Sequence, residues 1–150
     1  MSEPITYSFI VTCDLEGGIC MTYNITEDLR RFHDLTNAVN KTNIVIMEKN
    51  TWEKHGSKPL LGRYNIIVSK NISDYEMYVF EKGAYFVSSL DKALIFANEL
   101  STDEKPSNIF VIGDEKLYEE ALKDPRCISG YLTIVTPFNI SNADFYSIKN

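Results

Sequence analysis

The sequence predicts a single α/β domain, on three observations. Apolar runs of strand length alternate with segments of helical period along the chain. Hydrophobic residues make up 44% of it, which suits a packed core rather than a disordered chain. Its 150 residues (1–150) match one domain by the usual size relation, long enough to bury a core without disulfides or metal.

The elements follow in order. Ile5 to Cys13 reads as a first buried strand, and Asp14 to Asn24 as a loop containing Gly17-Gly18. A helix starts near Thr26, a residue type that caps helix N-termini, and runs to about Asn40. Asn43 to Met47 is a second strand, Thr51 to His55 a helical turn, and Tyr64 to Ser69 a third strand. Met77 to Val87 holds short strands around a Lys82-Gly83 turn. Ser88-x-x-Asp91 reads as a capping-box variant opening a helix through Leu100, with Leu90, Leu94 and Ala97 on its inner face. Asn108 to Ile112 is the next strand, Glu115 to Lys123 a helix stopped by Pro125, and Gly130 to Thr136 a last strand. The total is about six or seven strands and about four helices.

A net charge of −6 argues against nucleic acid or an anionic membrane as main partner. Cys13, Cys20 and Cys127 show no metal spacing and no C-x-x-C, so no metal is expected. An odd cysteine count with no apolar leader after Met1 points to a reducing, cytoplasmic compartment.

One carboxylate sits on an unexpected face. Asp28, Phe32, Leu35 and Val39 share one side of their helix, and all but Asp28 are apolar. Glu27 falls with Arg31 and Asp34 on the polar side. An acid in a first helical turn ordinarily just complements the helix dipole. What gives Asp28 more weight is the stretch from Ile44 to Lys70. There an apolar strand leads to Asn50-Thr51-Trp52, then to Pro59-Leu60-Leu61-Gly62-Arg63, then to a second apolar strand.

With the run Glu27 to Phe32, with Ile109 to Tyr118 and with Tyr131-Leu132-Thr133, this stretch resembles dihydrofolate reductase over about residues 5 to 146. The resemblance implies a mostly parallel central sheet flanked by about four helices. It implies NADPH-dependent reduction of 7,8-dihydrofolate to tetrahydrofolate. Asp28 would hold the pterin ring, with Thr133 supporting it. Phe32 would stack beside the ring and aminobenzoyl group. Arg63 would bind the carboxylate tail, and Ile10, Val11, Leu29 and Ile46 would line the pocket. For any one apolar residue, and for Trp52, plain core packing is the simpler reading.

The residue types suit those roles. An aminopyrimidine edge offers two donors side by side, and an ionised carboxylate accepts both. A guanidinium matches a carboxylate tail in the same way. Burial would raise the pKa of Asp28 and ligand contact would lower it.

On the nucleotide side the resemblance assigns Thr12, Lys49, Asn50, Thr51, Ser69, Lys70, Ile112, Gly113, Lys116 and Tyr118 to NADPH. As plain residues, the lysines are solvated surface charges. Two departures place acids near a pyrophosphate: Glu48-Lys49 replaces the family's Gly-Arg, and Gly113-Asp114 keeps one glycine of a Gly-Gly pair. Like charges ~4 Å apart cost roughly 1 kcal/mol in water and more in a drier site. The family's Gly-Gly bond is cis, and a cis bond into a non-proline residue costs about 3 kcal/mol, which Asp114 makes harder to support.

The loop over the site is short, with Thr22-Tyr23 where the family has Pro-Trp. Such a loop normally seals out water. Asn142 to Phe145 resembles the segment before the family's last two strands, so those strands are expected to be lacking. Gly130 to Thr136 would then be an edge, and either the chain is a fragment or a protein partner or second copy covers that edge. The main expectation is a dihydrofolate reductase. Its alternative is a catalytically impaired relative that binds folate or protein. A reductase of riboflavin synthesis is a third reading, against which the Asp28 and Arg63 pair argues.

Overall fold

The computed structural model describes residues 5–14, 34, 36, 37, 41–54, 56–70, 78–81, 83–101, 107–112, 115–135 and 140–147. The strands are β1 (Tyr7–Asp14), β2 (Asn43–Glu48), β3 (Arg63–Val68), β4 (Tyr78–Glu81), β5 (Ala84–Val87), β6 (Ile109–Ile112), β7 (Cys127–Val135) and β8 (Ile140–Ser147). The helices are α1 (Lys49–Lys54), α2 (Leu90–Leu100) and α3 (Glu115–Lys123). Asp34 and Thr36 are also helical. Most of the helix expected over 26–40 lies outside the described residues.

The strands form one sheet in the order β4-β5-β3-β2-β6-β1-β7-β8. From β5 to β7 every neighbouring pair is parallel. The outermost pairings, β4 with β5 and β7 with β8, are antiparallel. Parallel strands are covered on both faces, which is why β2 and β6 are apolar at nearly every position. Their side chains divide by alternation into two cores. Ile44, Ile46, Ile66, Val68, Ile109 and Val111 join Leu90, Ala93, Leu94, Ala97, Leu117 and Ala121 under α2 and α3. Val45, Met47, Ile67, Phe110 and Ile112 join Trp52 of α1 on the other face, with Ile10, Leu60, Phe86 and Tyr131 packed against them. Each fully buried aliphatic side chain contributes about 1.5–3 kcal/mol over leaving it exposed.

Two local expectations change. Residues 140–147 pair along β7, so its outer row of backbone groups is bonded rather than bare. A strand does follow β7, and β8 is the edge among the described residues. The cap of α2 is Ser89 rather than Ser88. Ser89 has extended backbone and its hydroxyl accepts from the Lys92 amide at 3.1 Å. Asp91 instead turns outward and accepts from Arg126 Nη2 at 2.6 Å.

At Gly130 the Phe9 ring occupies the space a Cβ would need, so any larger residue there would have to displace that ring. Among the described residues no helix is long and apolar enough to cross a membrane.

Candidate functional site

Because the parallel strands point the same way, their carboxyl ends gather at one rim of the sheet, where open α/β folds bind ligands. Ile10 pairs in register with Ile112 on one side and Tyr131 on the other. Two residues further on, Thr12 pairs with Thr133, which in turn pairs with Asn142. The backbone thus brings together four positions assigned from sequence, namely Ile10, Thr12, Ile112 and Thr133. Val11 lies on β1 between them. Ile10 and Ile112 belong to the face that carries Trp52. Ile46 does not join them: alternation along β2 sends it, fully buried, under α2 and α3 on the opposite face. It is packed as a core residue there. Trp52 is a core aromatic, edge-on to Phe86 with ring centroids 5.8 Å apart. Asp28, Leu29, Phe32, Gly113 and Asp114 lie outside the described residues.

Where β2 ends and α1 begins, Lys49 and Asn50 are exposed, and Lys49 reaches Glu53 at 4.0 Å across one helical turn. Thr51 is 3% exposed, and among the described residues its buried Oγ1 has no hydrogen-bond partner. A buried hydroxyl left unpaired costs about 1–3 kcal/mol, so this one has a hydrogen bond to offer to an ordered water or a ligand atom. Where β3 ends, Ser69 is buried and its amide donates to Val87 O at 2.8 Å, tying the ends of β3 and β5 together. The next residue, Lys70, is exposed, and its amine lies close to that of Lys116 on α3. The closeness of the like-charged Lys116 amine holds Lys70 below its usual pKa, while Glu48 and Glu120 pull the other way. Glu48, a departure from the family pattern, thus faces a lysine of the same rim. Tyr118 lies on α3 one turn or less from Lys116.

Arg63 opens β3 and is 8% exposed. Strand alternation places it on the face of Ile67 and Trp52. Its Nε donates to Leu61 O at 3.1 Å and its Nη1 to Thr36 Oγ1 at 2.7 Å. Burial lowers its pKa below the usual arginine value. Gly62 beside it has φ +79, which favours glycine, and a Cβ there would lie 2.8 Å from Asn37 Oδ1, so the Asn37 side chain would have to shift.

Sequence reasoning missed the polar frame around this arginine. Asn43 Nδ2 donates to Thr36 O at 3.1 Å, and Asn43 Oδ1 accepts from the Asn108 amide at 3.0 Å. Asn65 Oδ1 accepts from the Leu60 amide at 2.9 Å, and its Nδ2 donates to Leu60 O and Arg63 O, each at 3.0 Å. Asn65 therefore pins the Leu60 turn to β3. The available signal was an asparagine in or opening each of two largely apolar strands, since a buried amide must find partners.

The family model of dihydrofolate reductase matches residues 7–147. A bifunctional dihydrofolate reductase-thymidylate synthase of Paramecium tetraurelia is 33% identical over 138 residues, covering 89% of this chain and 26% of its own length. A dihydrofolate reductase of Bos taurus is 29% identical over 124 residues, covering 79% of this chain and 63% of its own. This chain thus spans about a quarter of the first relative and under two thirds of the second. The solved structure of Schistosoma mansoni dihydrofolate reductase superposes with a TM-score of 0.71 at 26% identity, over 91% of this chain and 78% of that one. With the sheet order and the rim residues above, these matches place the chain in the dihydrofolate reductase family.

Proposed function

We propose that the protein reduces 7,8-dihydrofolate to tetrahydrofolate with NADPH, in a reducing compartment such as the cytoplasm. The observation that carries this reading is the buried guanidinium of Arg63, oriented by hydrogen bonds on the sheet face that also carries Trp52 and Ile10. A buried charge is costly, and one held by oriented oxygens at a family ligand position is well suited to a substrate carboxylate.

The residues present fit the cofactor. The orphaned Thr51 hydroxyl would donate to a phosphate oxygen, and Lys70 with Lys116 would meet the adenosine phosphate. An anion between those two amines would relieve the repulsion that now lowers Lys70. When bound, the reduced nicotinamide supplies the hydride.

The chain's own residues do the rest. The Asp28 carboxylate would accept both donors of the aminopyrimidine edge, fixing the pterin plane and favouring protonation of the ring nitrogen next to the reduced carbon. Thr133 would hold Asp28 by its hydroxyl. Phe32 and Leu29 would pack along the ring and aminobenzoyl group, and Ile10 and Val11 would line the strand side. Arg63 would hold the glutamate tail. One hydride and one proton are consumed per turnover, so NADPH and H⁺ become NADP⁺ as dihydrofolate becomes tetrahydrofolate.

The test follows the reduced nicotinamide absorbance with dihydrofolate present. Turnover is expected, and Asp28→Asn should lower kcat by about a hundredfold or more, the scale of lost charge stabilisation and proton transfer. Folate binding without turnover in the unaltered protein would count against the reductase and for a binding relative.

A further inference from the structure

Arg63 and Thr36 stand 27 positions apart in sequence, yet the Thr36 hydroxyl accepts a hydrogen bond from Arg63 Nη1 at 2.7 Å in a buried setting. Thr36 is 0% exposed, so this bond is shielded from competing water. A second bond, Nε to Leu61 O, holds the other side of the same planar group. Two bonds to separate nitrogens of a rigid guanidinium set its plane as well as its position. Thr36 is itself held, because its carbonyl accepts from Asn43 Nδ2, and Asn43 is anchored in turn by the Asn108 amide. Asn43 opens β2 and Asn108 lies just before β6, so the frame behind the arginine is built on two strands of the parallel sheet.

The chemistry of these partners matters. A hydroxyl and a peptide carbonyl orient a guanidinium without neutralising it, whereas a carboxylate at position 36 would compete with a ligand carboxylate for the same charge. Serine and threonine have that neutral acceptor, and valine has threonine's shape without it.

We propose that Thr36 is a positioning residue for substrate binding: backed by Asn43, its hydroxyl sets the Arg63 guanidinium plane so that it meets the carboxylate tail of a folate. This rests on the tail-binding reading of Arg63 given above. Thr36 does not touch the reacting atoms, so its effect is confined to the tail end of the ligand.

The experiment compares folic acid, which carries the glutamate tail, with 6-methylpterin, which does not, by fluorescence titration of purified protein. Thr36→Val should weaken folic acid by about tenfold, the scale of one hydrogen bond to a charged group, and leave 6-methylpterin within about twofold. Thr36→Ser should restore folic acid binding to within about twofold. In turnover assays Thr36→Val should raise KM for dihydrofolate with kcat little changed. Thr36→Ala removes the hydroxyl without setting a methyl against the guanidinium, and serves should the valine variant not fold. Equal loss for both ligands, or no loss for either, while Arg63→Ala abolishes the preference for folic acid would overturn the positioning role alone. A preference that survives Arg63→Ala would overturn the tail reading and the proposal together.

Discussion

Arg63 opens β3 and Arg126 lies one residue before β7, and the same guanidinium meets different partners at the two places. Arg63 is buried, and its hydrogen bonds to Thr36 Oγ1 and Leu61 O go to neutral oxygens. Arg126 is half-exposed and bonds the Asp124 carboxylate through Nε and Nη2, the latter at 2.8 Å, and Asp91 at 2.6 Å. The hydrogen bonds to Asp124 and then Asp91 raise the pKa of Arg126, whereas burial lowers that of Arg63. Asp124 also accepts from the Tyr7 hydroxyl at 3.0 Å, which joins the start of β1 to the turn before β7. Burial and then the Asp124 bond push the Tyr7 phenol far above its usual pKa. One arginine is thus a staple that ties α2, the α3–β7 turn and β1 together. The other is oriented, and its bonds to Thr36 and Leu61 add no negative charge. The same residue type serves an ion-pair cluster at one place, and at the other the ligand-binding role proposed above.

The largest expected difference is in ligand binding. Arg63→Ala should cost folic acid about a hundredfold in affinity, the scale of a lost bidentate ion pair, while Arg126→Ala should leave it within about twofold. A titration in which both variants lose the same affinity would erase the contrast.

A smaller effect isolates the packing beside Arg63. Gly62 and Gly56 have nearly the same backbone, φ +79 and +80, but only at Gly62 does a Cβ meet a close neighbour, Asn37 Oδ1. Alanine at either site carries the strain of positive φ, about 1 kcal/mol, and Gly62→Ala should cost about 1–2 kcal/mol more in urea unfolding. Equal losses would mean that the loop around Asn37 gives way freely.

The smallest effect belongs to the staple. Burial pushes the Asp124 carboxyl up, but the hydrogen bonds from Arg126 and Tyr7 outweigh it and hold the group below its ordinary 3.8. A depressed carboxyl stabilises the fold above its unfolded pKa, and that contribution fades as pH falls through the lower folded value. Asp124→Asn should therefore cost about 1 kcal/mol at neutral pH, discounted for the exposed arginine side, and should flatten the loss of stability below pH 3.8. Unfolding midpoints measured from pH 6 down to about pH 2 would check the sign, and an unchanged acid limb would rule the staple out as its source.

Much of the sheet was legible in the sequence. Short apolar runs such as Ile109 to Ile112, bounded by polar loops, read directly as buried strands. The Glu115–Lys123 helix carries its own stop signal in Pro125. Ser89 was harder, because adjacent serines offer the same capping chemistry and only the backbone angles decide which one caps. The face of Ile46 was not legible, because a strand buried on both faces carries apolar residues at nearly every position. Its pattern then holds no mark of which face meets the ligand.

Periodicity is local, so residues 43–48, 90–100 and 109–112 could declare strand, helix and strand without help from the rest of the chain. The motif around Arg63 likewise announced a family by short-range order alone. What required the folded chain was everything that joins distant segments: the order β4-β5-β3-β2-β6-β1-β7-β8, the covering of β7 by β8, and the frame that brings Thr36 and Asn43 to Arg63. Those contacts arise from how strands far apart in sequence line up side by side. A hydrogen bond 27 residues long in sequence leaves no periodic trace in either of the segments it connects.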